Sequence, residues 1–304
     1  MEDTPSVYGS LPSAVYLTEY FPVPGNQGTQ NSCTAWAVAY ALKSGQENMK
    51  RGWSRNSSAH QFSPSFVYNL VNNGKNEGAF LSDVFDIVSE YGVCSLNYFP
   101  YDQNDYKTKP TANQIGAARL YQSAYWINIK GIPVIKNHIA GGDGVVIGIE
   151  VYPDFYDISA SNQIYDKISG TAEGGHAICL IGYDDSKGAF KFINSWGSDW
   201  GLDGYGWISY DLVNDIRVNH YGTVIGYVMH PETDDYFVGD VNEDGIIDAS
   251  DAMLVLQYAA QTLTPTPRQN ALSDVDGNAV VDSTGANYIL KYAAQTISKL
   301  PLYD

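Results

Sequence analysis

The chain has 304 residues, 24 of them tyrosine, and a formal net charge of −17. That length accommodates one large domain plus a small one. The acidic balance argues against nucleic-acid binding, which needs a basic surface, and no apolar run approaches the ~18 to 20 residues that cross a bilayer. The opening MEDTPSVYGS lacks the basic-then-apolar pattern of a secretory leader, so the expectation is a chain kept inside the cell or a mature or trimmed form. Cys33, Cys94 and Cys179 are an odd set, so a thiol is left free and a disulfide framework is not expected.

In chain order, residues 30–92 carry helical signals. The run from Cys33 to about Met49 is mostly apolar. In FSPSFVYNLVNN, Ser63 is the expected N-cap and Pro64 the first helical residue. Leu81, Val84, Phe85 and Val88 recur at helical spacing, and Gly92 closes that helix. From about 144 to 230 the signals are strands: VVIGIEVY, HAICLIGYDD, AFKFINSW and YGWISY. Helices first and strands second predict an α+β domain with two halves. PETDDYF opens an acidic linker, placed at 231–238. Beyond it DVNEDGIIDASDAMLVLQYAAQT and DVDGNAVVDSTGANYILKYAAQT repeat, starting at Asp240 and Asp274.

The stretch NQGTQNSCTAW sets the Gln27 amide six residues before the Cys33 thiol. A thiol attacks only as thiolate. A helix N-terminus and a neighbouring imidazolium lower its pKa from ~8.5 to roughly 3.5–7.5. Cys33 opens the first predicted helix. Of five histidines, His176 stands out: it follows two glycines at the mouth of an apolar strand, where the glycines are expected to admit another backbone closely. Asn194, 18 residues on, can accept from one ring N–H, with Trp196 shielding that bond from water. Gln27 and the Cys33 N–H are placed to donate to an oxyanion.

The order Gln27, Cys33, His176, Asn194, in NQG, SCTAW, GGHA and NSWGSDWG, resembles the papain-like cysteine peptidases over roughly residues 10–230, with FPYD at Phe99–Asp102 similar to the family's Tyr-Pro-Tyr segment. The resemblance implies a two-lobed fold, a helical lobe plus a β-barrel-like lobe, and peptide hydrolysis through a Cys33 thioester. It places Gly78 and Ala79 along the substrate backbone. It puts Phe80, Leu81, Ile149 and Ala177 around an apolar P2 pocket with nothing charged facing them, and Gly175 and Trp196 beside the substrate. Gln30 stands where the family has a disulfide cysteine, Asn31 replaces a glycine beside S1, and Thr34 replaces a tryptophan. Cys33 lies near the chain start, so the family's prosegment is read as removed. A non-catalytic peptide-binding or regulatory subunit on the same fold is the alternative, as is transfer of the thioester to an amine.

Calcium takes six to eight hard oxygens from a flexible loop. The first repeat offers Asp240, Asn242, Asp244, Asp248 and Asp251 at loop positions 1, 3, 5, 9 and 12, the Ile246 carbonyl at 7 and Gly245 for the turn at 6. The second offers Asp274, Asp276, Asn278, the Val280 carbonyl and Asp282, but has Ala279 at 6 and Gly285 at 12, so weaker binding is expected. The repeats are similar to a dockerin, a small all-α calcium-binding module of two loop–helix units that plugs into a cohesin on a cellulosome scaffold. That resemblance covers about 239–304. It implies a secreted, cellulosome-borne protein and cohesin contacts at Ala249, Ser250, Leu256 and Gln257, and at Ser283, Thr284, Leu290 and Lys291. Leu256 and Leu290 packing the two helices together is the competing role for those leucines.

Overall fold

The structure, a computed structural model, describes residues 10–231 and 237–303. The expected linker lies mostly outside the described residues, although Val238 at its end is buried. Among the described residues no helix is long and apolar enough to cross a membrane.

Residues 33–51 form one continuous helix. It is α-helical over Cys33–Ala35, shifts to π-helical pairing over Trp36–Lys43, and returns to α over Ser44–Arg51. Every residue from Trp36 to Lys43 is buried, as a run apolar on all sides requires. Ser63 caps the Pro64–Val71 helix by accepting from the Phe66 N–H at 3.1 Å. The Leu81–Tyr91 helix stops at Gly92, whose φ of 75° favours glycine and where a side chain would strike the Ala118 carbonyl.

The second lobe is an eight-stranded sheet. Its strands are β1 (Ala14–Tyr16), β2 (Ser123–Lys130), β3 (Val145–Val151), β4 (Ile164–Tyr165), β5 (Gly174–Asp184), β6 (Ala189–Ile193), β7 (Tyr205–Ser209) and β8 (Ile225–Pro231). They run β2-β8-β3-β5-β6-β7-β4, with β1 on β5. The expected barrel is not closed. One end of the path is β4, only two residues long. At the other, β2 turns to the helical lobe: Trp126 donates to Asp86 at 2.7 Å and its ring packs on Phe85. The four sequence-read strands appear as β3, β5, β6 and β7. The region 93–143, left unassigned from sequence, supplies β2 and the helices Ala112–Arg119 and Ile132–Ala140.

The C-terminal repeats fold as two loop–helix units, Ala249–Ala259 and Ser283–Ala293, with an additional helix, Pro267–Ser273, between them. Ala252 and Val255 of one unit and Ala286 and Ile289 of the other are buried.

An ion pair sits inside the long helix. Lys43 is fully buried and donates to Glu47 at 2.8 Å, and Arg51 reaches the same carboxylate at 2.7 Å. Burial pushes the Glu47 carboxyl up, but Lys43 and Arg51 outweigh it and hold it down at about 2. Lys43→Ala leaves the buried Glu47 carboxylate with Arg51 alone, and is expected to cost up to about 3–5 kcal/mol in denaturant melts. Because the unfolded carboxyl takes its proton first on acidification, the pair's contribution is full above about pH 5 and fades towards pH 2; a Glu47→Gln variant should show a flatter loss of stability across that window.

Candidate active site and calcium loops

Four segments converge on one cleft of about 1100 Å³, and its lining includes Gln27, Cys33, Gly78, Ala79, Leu81, Gly175, His176, Ala177 and Trp196. Cys33 begins the long helix, so its thiol stands at the helix's electropositive end. The thiol lies against the backbone N–H of Ala177, the residue after His176 on β5. His176 Nε2 donates to Asn194 Oδ1 at 2.8 Å, and that oxygen also accepts from the Ser195 N–H at 2.8 Å. With Nε2 spent on Asn194, Nδ1 is the ring atom left to take or give a proton. The Trp196 ring packs 4.8 Å from the imidazole and stacks on Tyr156 at 5.3 Å.

Burial dominates the electrostatics. It pushes the Cys33 thiol up, against the lowering effect of the Ala177, Thr34 and Cys33 N–H groups. It takes His176 down to about 4, against the raising effect of Asn194. Each group alone is therefore neutral near pH 7. An ionised thiol therefore requires that the ring take its proton.

The glutamine loop is held by the NSWG loop. The Gln27 N–H donates to the Ser195 carbonyl at 2.8 Å, the Gly197 N–H to Gly25 at 2.9 Å, and Ser195 Oγ to Gln27 Oε1 at 2.7 Å. Gln27 Nε2 donates one hydrogen to the Gln30 carbonyl at 2.9 Å, leaving its second N–H for the cleft. Tyr101 completes the support: its hydroxyl donates to the Gln27 carbonyl at 2.7 Å and its ring packs edge-on against Trp36. Tyr101 lies within the FPYD segment, where no local feature marks it as a support for Gln27. Cys33, Cys94 and Cys179 are all free, and Gln30 Nε2 bonds the Asp102 and Gln103 carbonyls at 3.3 Å.

Several expectations need correction. Gly174 and Gly175 do not admit a neighbouring backbone; nothing lies within 4 Å of a side chain built there. They leave open space before His176, and Gly174 adopts a φ of 140°. Ile149, only 4 % exposed on β3, lines the cleft as expected, together with Phe80, Leu81 and Ala177. The residue facing Leu81 is Gly148, where an added Cβ would sit 3.7 Å from Leu81 Cδ1. Its signal was the interruption of the apolar run VVIGIEV. Phe80 is 79 % exposed at the cleft rim, being the N-cap of the Leu81–Tyr91 helix. Charged groups do line the cleft, among them Lys75, Glu77, Asp83, Glu150 and Glu173, and His220 Nε2 lies 3.3 Å from Glu150. Asn31 does more than add bulk. Its N–H donates to Asn76 Oδ1 at 2.8 Å and its amide to the Asn76 carbonyl at 2.7 Å, pinning the loop that leads to Gly78 and Ala79. Asn76 carried no sequence signal.

In the first C-terminal loop, Asp240 accepts from the N–H groups of Asp244 and Gly245 at 3.1 and 2.8 Å. Asp251, fully buried, accepts from Val241, Asn242 and Asp248. A buried carboxylate held by backbone N–H groups alone, among Asn242, Asp244, Asp248 and the Ile246 carbonyl, is a donor set suited to calcium. Among the described residues no three His, Cys, Asp or Glu side chains converge closely enough to hold a metal; the carboxylates face their own loop. The second loop is wound alike, Asp274 accepting from Asn278 and Ala279 at 3.0 Å. It carries two defects. Ala279 holds a φ of 65° where the first loop has Gly245. A Cβ at Gly285 would sit 3.0 Å from the Ser273 carbonyl, so close packing leaves little room for an acid at position 12. Ala249, Ser250, Leu256 and Gln257 are exposed, as are Ser283, Thr284, Leu290 and Lys291. Leu256 and Leu290, 39 % and 43 % exposed, lie outside the inter-helix core.

The model for papain family cysteine proteases matches residues 21–228, and that for the dockerin type I domain matches 238–292. A peptidase C1-like protein of Acanthamoeba polyphaga mimivirus is 30 % identical over 240 residues, 73 % of this chain and 75 % of its own length. A cathepsin B-like protein, CP3, of Giardia intestinalis is 27 % identical over 190 residues, covering 59 % of this chain and 62 % of that protein. Among solved structures, xylellain, a cysteine protease from Xylella fastidiosa, aligns with a TM-score of 0.61 at 26 % identity over 73 % of this chain and 87 % of that one. The chain belongs to the papain family of cysteine proteases. Within the family it carries a C-terminal dockerin type I domain.

Tyr101 is not itself among the cleft-lining residues and acts through Gln27. Tyr101→Phe removes its bond to the Gln27 carbonyl, worth about 0.5–1.5 kcal/mol, and its contact with Ser32 Oγ. The expected outcome is a roughly 2- to 10-fold lower kcat with KM little changed in peptide hydrolysis.

Proposed function

We propose that this chain is a cysteine endopeptidase that hydrolyses peptide bonds and is held on a cellulosome scaffold by calcium-dependent cohesin binding. The observation that carries the hydrolytic reading is the seating of the Cys33 thiol on the β5 backbone beside His176, whose ring is fixed by Asn194. As the Cys33 sulfur closes on a peptide carbonyl, its proton passes to His176 Nδ1. Burial disfavours either charge alone, while thiolate and imidazolium offset one another at close range. The oxyanion takes the free Gln27 N–H and the Cys33 N–H. The imidazolium then protonates the leaving amine, and water attacks the thioester with His176 as base. Gly78, Ala79, Phe80, Leu81, Gly175, Ala177 and Trp196 line the substrate path; Gly148 and Leu81 form the P2 wall, above Ile149. An apolar P2 residue remains the expectation, with Glu150 and His220 within reach of a polar tip.

The scaffold reading rests on the dockerin match and on the exposed apolar residues Leu256 and Leu290. Calcium would be held in the first loop by Asp240, Asn242, Asp244, the Ile246 carbonyl, Asp248 and Asp251, and in the second by Asp274, Asp276, Asn278, the Val280 carbonyl and Asp282. Bound there, the ion would neutralise the clustered carboxylates and brace each loop against its helix. A secreted or cell-surface location follows from this reading.

Cys33→Ala is expected to abolish cleavage of a peptide library while leaving the thermal melt unchanged, and an epoxide inhibitor such as E-64 should label Cys33 far faster than buried Cys94 and Cys179. Residual cleavage by that variant would refute the mechanism. With His176 near 4 before the thiol ionises, solvent protonates it only in acid, so the acid limb of kcat/KM should lie nearer pH 4 than 6.5. Asn194→Ala should cost about 1–3 kcal/mol, roughly 5- to 150-fold in kcat/KM, and move that limb lower still. Calorimetry should find two unequal calcium sites, with Ala279→Gly narrowing the gap because glycine adopts the positive φ without strain; two equally tight sites in the unmodified chain would contradict the assignment.

A further inference from the structure

Tethering modules are commonly pictured as hanging from a linker. Here the second repeat and the helix before it lie against the helical lobe of the protease. The Pro267–Ser273 helix packs on Ala112–Arg119 so closely that a Cβ at Gly116 would sit 2.4 Å from the Pro267 carbonyl. A Cβ at Gly277 would sit 2.8 Å from both Ala59 and Leu302. Hydrogen bonds cross the boundary: His60 Nε2 donates to the Leu302 carbonyl at 2.6 Å, and the Asn97 amide donates to the Gly277 carbonyl. Tyr98 is half-buried, with its hydroxyl turned to the Asp274 carboxylate. Val238, Ala271, Val275 and Leu302 are buried, as are Cys94, Ala117 and Leu120 across from them. The cavity left between the two sides is about 20 Å³, room for one water at most.

We propose that the dockerin is a docked module: its Pro267–Ser273 helix, second loop and C-terminal turn are seated on the protease's helical lobe against Gly116, Asn97 and His60, and this contact persists without the covalent linker. The faces expected to meet a cohesin stay clear of the boundary, since Ser250, Leu256 and Gln257, and Thr284, Leu290 and Lys291, are exposed. Docking and scaffold binding are therefore compatible, and the scaffold would dictate the direction in which the cleft opens. The inference extends the scaffold reading, yet contact between the two halves depends on neither cohesin nor hydrolysis.

The test uses the full chain with a site-specific protease sequence inserted between Pro231 and Phe237, cut in excess calcium. The expected result is that both fragments elute together at the mass of the intact chain. Gly116→Ala should abolish co-elution after cutting while leaving peptidase activity unchanged in the uncut protein. A hanging dockerin predicts the opposite on both counts. The unmodified fragments would separate at once, and Gly116→Ala would only raise the melting temperature, because alanine favours an exposed helix over glycine by about 1 kcal/mol. Asn97→Ala is the second variant should Gly116→Ala fail to fold; it deletes the bond to Gly277 from a loop, and unchanged co-elution with it and with Gly116→Ala would overturn the proposal.

Discussion

The amino end of the 33–51 helix abuts the mouth of β5, and the cleft exists because those two elements meet there. The helix brings a thiol and an electropositive terminus. The strand brings an imidazole and, one residue on, a backbone N–H against the sulfur. Neither lobe contains a reactive pair. The NQG loop of one and the NSWG loop of the other hold the seam through backbone hydrogen bonds and the Ser195–Gln27 contact. Tyr101 and the Asn31–Asn76 clamp then fix the loops on either side of the thiol.

Burial at this seam has two effects. It makes a lone thiolate and a lone imidazolium unfavourable. It also strengthens their mutual attraction once a proton has moved between them. Trp196 and Asn194 contribute to both, by excluding water and by holding the ring at one angle. The same principle governs the Lys43–Glu47–Arg51 cluster further along the helix, where buried opposite charges persist only because each has its partner.

In the C-terminal module a duplicated sequence has two unlike settings. The first loop has glycine at its turn and a buried carboxylate at its last position. The second has Ala279 in a strained backbone region and a glycine where packing on Ser273 leaves no room. Asp274, at the first position of the second loop, lies beside Tyr98 of the protease lobe.

Much of this was legible in the residues. Cap and stop signals at Ser63, Pro64 and Gly92 act within a few positions, and so do the β-branched and aromatic runs of β3, β5, β6 and β7. The order of Gln27, Cys33, His176 and Asn194 and the spacing of loop oxygens are likewise linear. Contacts made at a distance were not legible. Nothing local marks Tyr101 as the support of Gln27 or Asn76 as the partner of Asn31. The open edge of the sheet and the seating of the dockerin also belong to this class. Local propensity and spacing are properties of neighbouring residues, whereas a side chain's partner across the fold is set by which surfaces pack together, and only the folded chain decides that.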